Sequence, residues 1–233
     1  MYKRFNNDDA FVVSPKAFLF DLDGTLLDTL GDLADSMNAV LAARGLPVHP
    51  LDQYRYFVGD GMRELARRVL PGKTPVEEIV DQLVEEMRLE YEARCYDTTT
   101  PYPGIITMLE VAAATNKPMA VFSNKPHDFT TQMVKKFFPD IPFHMVLGVG
   151  GDVPRKPDPS GALKIARDTG INTEGFFYLG DTATDMKTAT AAGMFAAGAA
   201  WGFRDEDELR KNGAVIVLQS PDEVTDIVKK IPQ

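Results

Sequence analysis

The strongest constraint in this 233-residue chain is a series of short, continuous apolar runs, each stopped by polar or turn-forming residues. Ala17-Phe18-Leu19-Phe20 comes first and is halted by Asp21-Leu22-Asp23-Gly24. Comparable runs occupy residues 119–122, 145–147, 176–179 and 214–218, with a weaker, small-residue run over 194–200. A run that is apolar at every position, not at alternate ones, predicts a strand buried on both faces, as in a parallel sheet. Helical spacings separate most of these runs. Ile105, Leu109, Ala112 and Ala113 form one, and Thr130, Met133, Val134 and Phe137 another. Leu163, Ala166 and Arg167 open a third, and Val224, Ile227 and Val228 close the chain. The alternation predicts an α/β fold whose sheet is joined by right-handed crossovers.

Residues 31–100 break that alternation. Leu33, Met37, Val40 and Leu41 mark one amphipathic helix, and Val76, Ile79, Val80, Leu83, Val84, Met87 and Tyr91 a longer one, with no comparable strand between. A stretch this long exceeds a single crossover. It predicts a helical domain over 31–100, inserted into a core made of 1–30 and 101–233 and hinged near 28–30 and 98–103. Residues 1–14 read as a loosely held lead-in.

Composition narrows the function. Acidic residues outnumber basic ones, 34 to 25, for a net charge of -9, which opposes binding to nucleic acid or anionic lipid. The same field opposes a phosphorylated substrate unless a metal ion or local cation inverts it at the site. A single cysteine, Cys95, excludes an internal disulfide framework and a Cys-rich zinc site, and its place in a helical pattern marks it as packing. No run approaches the roughly 18 apolar residues of a membrane span, and the N-terminus carries no apolar leader, so a cytoplasmic protein is expected.

In an open parallel sheet, ligands gather at the carboxyl ends of strands. Four predicted strands end in candidate chemistry. Asp21-Leu22-Asp23-Gly24-Thr25 offers two carboxylates able to approach one metal and one reacting group; its bland reading is an Asp-Gly turn. Ser123-Asn124-Lys125 offers a hydroxyl and backbone N–H groups for a phosphate oxygen, or a plain polar turn. Lys156 stands beside Pro157-Asp158-Pro159, where proline restricts the backbone and would hold the side chain in place. Gly180-Asp181-Thr182-Ala183-Thr184-Asp185 puts two acids four residues apart across a helix start, for metal binding or for capping. Together they bring several carboxylates, a hydroxyl and an ammonium to one edge. Clustered carboxylates require a cation, and an all-oxygen donor set favours Mg²⁺ over zinc. His49, His127 and His144 are scattered, and no P-loop or dinucleotide fingerprint is present.

These motifs resemble the haloacid dehalogenase superfamily, and within it the phosphoglycolate phosphatase group, over about Lys16 to Val228. The resemblance rests on Phe20-Asp21-Leu22-Asp23-Gly24-Thr25-Leu26, Ser123-Asn124-Lys125-Pro126, Lys156-Pro157-Asp158-Pro159 and Gly180 to Met186, with Gly150-Gly151-Asp152 and Trp201-Gly202 in support. It implies a Rossmann-like core with a small α-helical cap inserted after the first strand. It further implies a phosphatase in which Asp21 attacks phosphorus and Asp23 serves as acid and then base. Asp21, the Asp23 backbone carbonyl, Asp181 and Asp185 hold Mg²⁺, while Ser123 and Lys156 hold the phosphoryl group. Gly24, Thr25 and Asn124 join the phosphate-binding set. Gly59-Asp60-Gly61-Met62-Arg63 is the candidate cap loop dipping into the site, with Arg63 either meeting a substrate carboxylate or lying solvated. The expected partner is a small phosphorylated metabolite, phosphoglycolate first. Two other readings stay open: a sugar-phosphate mutase of the same fold, and a catalytically idle binding protein.

Overall fold

The computed structural model describes residues 14–72 and 76–230. All but the last residue of the predicted lead-in lies outside them. The chain begins with β1 (Ala17–Phe20) and β2 (Leu27–Asp28), then α1 (Leu30–Ala43), α2 (Leu51–Phe57), α3 (Met62–Val69) and α4 (Glu77–Arg94). Next come β3 (Thr100–Pro101), α5 (Ile105–Ala113), β4 (Met119–Pro126), α6 (His127–Phe137), β5 (Met145–Val149) and α7 (Ser160–Thr169). The chain continues through β6 (Phe176–Gly180), α8 (Ala183–Ala192), β7 (Phe195–Ala199), α9 (Glu206–Lys211), β8 (Ile216–Leu218) and α10 (Pro221–Lys229).

Six strands form one parallel sheet in the order β5-β4-β1-β6-β7-β8. Every residue of β1 is buried, because side chains alternate between two covered faces. Phe18 and Phe20 join Val121, Phe177 and Leu179 on the face covered by α5, α6 and α10. Ala17 and Leu19 join Ala120, Phe122, Phe176 and Tyr178 against α7, α8 and α9. Each such fully buried side chain contributes about 1.5–3 kcal/mol. This two-sided burial explains the unbroken apolar runs.

Register places the site. Phe20 lies opposite Val121 of β4 and Leu179 of β6, so the residues following β1 sit level with the end of β6 and beside the second half of β4. β4 runs on through Ser123-Asn124-Lys125 to Pro126, where a polar turn was expected, with an irregularity in its pairing to β5 between Phe122 and Pro126. Strand β8 starts two residues later than its apolar run, at the sheet edge where Val215 is 42% exposed.

Helices α1–α4 pack around their own apolar cluster, which includes Leu33, Met37, Tyr54, Leu65, Leu83 and Tyr91. Two of these helices, α2 and α3, lack a counterpart in the sequence pattern. They are two turns long and bury one and three residues respectively, too few for a visible period. Helix α4 begins at Glu77 and buries Val80, Leu83, Met87 and Tyr91, leaving Val76 and Ile79 at 60% and 37% exposure. No helix among the described residues is long and apolar enough to cross a membrane.

The two strands flanking this helical segment pair with each other. β2 and β3 are antiparallel, Leu27 opposite Pro101 and Asp28 opposite Thr100. Beside them the buried Asp32 carboxylate accepts four hydrogen bonds, from the N–H and hydroxyl of Thr98 (2.8 and 2.6 Å) and of Thr99 (3.0 and 2.6 Å). Gly31 allows the approach, since a Cβ there would lie 2.4 Å from Thr98 Oγ1. Losing this acceptor leaves donors of Thr98 and Thr99 unsatisfied at about 1–3 kcal/mol each, or about 3–5 kcal/mol in all once the loop relaxes. Asp32→Ala should therefore lower the melting temperature by roughly 6–15 °C in a thermal melt; a melt within about 2 °C of wild type would remove this clamp from the account.

Candidate active site

The site forms where β1, β4 and β6 end. Asp21 follows β1, its backbone N–H donating to Leu179 O at 2.9 Å and so continuing the sheet. Its carboxylate and those of Asp181 and Asp185 offer oxygens that all lie within 4.8 Å of one another. Asp21 is 6% exposed, and Asp181 and Asp185 are fully buried. The Lys156 ammonium reaches Asp21 Oδ1 at 2.8 Å and Asp185 Oδ1 at 2.7 Å.

One ammonium among three buried carboxylates leaves the negative charge in excess. Burial first, then the charge of Asp185, pushes the Asp21 carboxyl well above its usual range despite Lys156. The same two causes raise Asp181 to about 7. Burial opposes the charge on Lys156, but Asp185 and Asp21 outweigh it and hold the ammonium protonated. A hard divalent cation fits this all-oxygen donor set and would relieve the excess.

Each acid is fixed by its own shell. Asp181 accepts from Thr25 Oγ1 at 3.0 Å and Phe203 N–H at 2.8 Å. Gly24, at φ 83°, makes room for it, since a Cβ there would stand 2.2 Å from Asp181 Oδ2. Asp185 closes a capping box at the start of α8, accepting from Thr182 N–H at 3.1 Å and Thr182 Oγ1 at 2.6 Å. Its other oxygen faces Lys156 and the Tyr178 hydroxyl, 3.2 Å away. The cap therefore serves the cluster: one oxygen builds the helix start while the other meets the ammonium.

Sequence reasoning grouped Asp21, Asp23, Ser123, Lys156, Asp181 and Asp185, and the strand ends bring them together. Asp21, Asp23 and Ser123 line a small cavity roofed by Val58, Met62 and Leu65. Asn124 also lines it, but its side chain secures two loops. It accepts from Lys156 N–H at 2.8 Å and donates to Lys156 O at 3.3 Å and Gly59 O at 3.1 Å. That bracing adds to the restraint of the neighbouring prolines on the backbone of Lys156.

Two assignments require correction, Gly24 and Thr25, and the open choice for Arg63 falls on its surface alternative. Thr25 is fully buried with its hydroxyl on Asp181, and Gly24 spends its N–H on Leu27 O at 2.8 Å; both shape the seat of Asp181 instead of facing phosphate. Arg63 stands on the outer face of α3, paired with Asp81 and, at 2.6 Å, with Glu77. The neighbouring acids of α4, invisible in a linear reading, hold its guanidinium there. Gly59 and Gly61 of the same loop do line the cavity. The loop is docked by Thr184 Oγ1 on Asp60 Oδ1 at 2.6 Å, Arg204 on Val58 O at 2.8 Å and Arg155 on Asp60 O at 3.0 Å.

Two residues had no assigned role. Lys125 donates to both oxygens of Asp23 at 2.8 Å, and Asp23 and Tyr91 raise its pKa against the effect of burial. Arg204, 8% exposed, ties the core to the backbone of α2 through Arg55 O and to Val58 O. Lys125 adjoins the Ser123-Asn124 motif, yet only the strand register brings it to an acid 102 positions away.

Residues 18–199 match the sequence profile of the haloacid dehalogenase-like hydrolases, and the chain belongs to that family. It is a phosphatase of the phosphoglycolate phosphatase-like kind, similar to two such relatives. Phosphoglycolate phosphatase of Xanthomonas campestris pv. campestris is 33% identical over 89% of this chain and 94% of the relative. Phosphoglycolate phosphatase 1 of Pseudomonas aeruginosa is 29% identical over 88% and 77%. A crystal structure from Lactobacillus delbrueckii subsp. bulgaricus superposes with a TM-score of 0.87 at 26% identity, covering 92% of this chain and 98% of that one.

Asp181 sets a pH signature for the metal-free protein. Its folded pKa of about 7 lies above the ordinary 3.8, so the stability it contributes is complete below about pH 3.8 and is lost as pH rises through about 7. In the presence of EDTA the melting temperature should fall between about pH 4 and 7, and a saturating divalent cation should raise it more at pH 8 than at pH 5. An equal rise at both pH values would contradict the charge-excess picture.

Proposed function

We propose that this chain hydrolyses small phosphomonoesters, with 2-phosphoglycolate the leading substrate, through a phosphoryl-Asp21 intermediate in a Mg²⁺-dependent reaction. The observation that carries this reading is the Asp21 carboxylate at the floor of a cavity, held by Lys156 and flanked by Asp181 and Asp185. The relatives' shared name supports the substrate. Asp21, Asp181, Asp185 and the Asp23 backbone carbonyl would hold Mg²⁺. When bound, that cation supplies charge neutralisation and Lewis-acid polarisation of the phosphoryl oxygens.

The chain's own groups divide the remaining work. Asp21 forms an oxygen–phosphorus bond as the bond to the substrate alcohol breaks, and Asp23 gives its proton to the departing oxygen. Asp23 then takes a proton from the water that attacks phosphorus, releasing inorganic phosphate and restoring Asp21. Ser123 and Lys156 steady the phosphoryl oxygens. Enzymes of this chemistry supply accelerations up to about 10²¹-fold, on the order of 28 kcal/mol, and positioning with charge stabilisation in a water-poor site is the largest available source. Water exclusion falls to the inserted helices of residues 31–100, which act as a cap through the docked loop at Gly59–Gly61.

Phosphate release from 2-phosphoglycolate and a panel of phosphorylated metabolites tests the reading. Asp21→Asn should lower kcat by on the order of 10⁴-fold or more while leaving the fold intact. Mg²⁺-dependent release that survives this substitution within tenfold would end the covalent mechanism. Arg63→Ala, because its guanidinium is spent on Glu77 and Asp81, should leave kcat/KM for 2-phosphoglycolate within about twofold; a sharp drop confined to that substrate would restore Arg63 as a carboxylate ligand.

A further inference from the structure

Lys125 is buried, 4% exposed, in the last part of β4. Its ammonium lies 2.8 Å from each oxygen of Asp23, whose side chain is 16% exposed at the cavity. The ring of Tyr91, from α4, covers the ammonium at 4.7 Å from its centroid. An ammonium withdrawn from water is tolerated only when paired, so each member of the pair fixes the other. A second lysine, Lys156, already serves Asp21 and Asp185, and its contacts do not include Asp23. The site thus holds two separate lysine–carboxylate pairs, one for the nucleophile and one for its neighbour.

We propose that Lys125 is a positioning residue that acts on the reaction through Asp23. It holds the Asp23 carboxylate in one orientation at the cavity by gripping both of its oxygens with one ammonium. The Tyr91 ring of α4 covers that ammonium and keeps it from water. The inference rests on the proton-transfer role given to Asp23 above.

A four-protein cycle in Mg²⁺-containing buffer tests it: wild type, Lys125→Met, Asp23→Asn and the double variant. With 2-phosphoglycolate, Lys125→Met should lower kcat on the order of 10- to 100-fold with KM within about threefold. In the Asp23→Asn background the same change should lower kcat by less than about twofold, because the group it acts through is gone. Stability should move the opposite way: Asp23→Asn strands a buried ammonium, so adding Lys125→Met should raise the melting temperature of that variant. A purely structural Lys125 predicts equal losses of kcat in both backgrounds, and that result would overturn the proposal, as would a Lys125→Met kcat within about threefold of wild type. Should Lys125→Met fail to fold, Lys125→Arg replaces it in the same cycle. There, non-additivity with Asp23→Asn supports the proposal and additivity overturns it. A wild-type protein that releases no phosphate would instead sink the reading of function, and the melting cycle would still decide the pairing.

Discussion

Three buried carboxylates served by one ammonium create the imbalance that governs this structure. Asp21, Asp181 and Asp185 repel one another, and Lys156 offsets only part of that repulsion. Left to side-chain preference they would turn apart. The backbone prevents it: parallel register brings the ends of β1 and β6 level beside the second half of β4, a capping box binds Asp185 to the start of α8, and Gly24 clears space for Asp181. Apolar burial on both faces of the sheet supplies the stability that holds like charges together. The site is preorganised for a cation because folding has already overcome the repulsion that the cation relieves.

Much of this was legible in the chain because two-sided burial writes itself as unbroken apolar runs. All six sheet strands stand where such runs occur, and three of the four polar motifs come at or after their strands' ends, while Ser123-Asn124-Lys125 forms the last part of β4 itself. The illegible parts share a physical cause. α2, α3 and α9 are too short, and bury too few residues, to show a period. Thr25 and Gly24 belong to a phosphate-like motif, yet their contacts are set by Asp181, 156 positions from Thr25. Arg63 carries the right charge on the right loop, but two acids of α4 neutralise it from a different helix. Lys125 is one lysine among many until the sheet delivers it to Asp23. Pairings of this kind are decided by topology, and local pattern does not encode them.

The helical segment forms the wall of the cavity opposite the carboxylates. Its cavity wall is apolar at Val58, Met62 and Leu65, whereas the floor is charged. Hydrogen bonds from Asn124, Thr184, Arg155 and Arg204 hold its loop to the core, and Asp32 secures its base. Apolar walls over a charged floor lower the local dielectric and strengthen the electrostatic interactions beneath them. The two parts differ in character: the sheet gathers charge, and the helices set apolar side chains opposite it.

A crystal structure grown with Mg²⁺ and trifluoroberyllate, a mimic of a phosphoryl group on a carboxylate, measures the central claim most directly. The account predicts one cation enclosed by Asp21, Asp181 and Asp185, and the mimic bonded to Asp21 within reach of Ser123 and Lys156. A cation bound elsewhere, or a mimic that leaves Asp21 unoccupied, would contradict it.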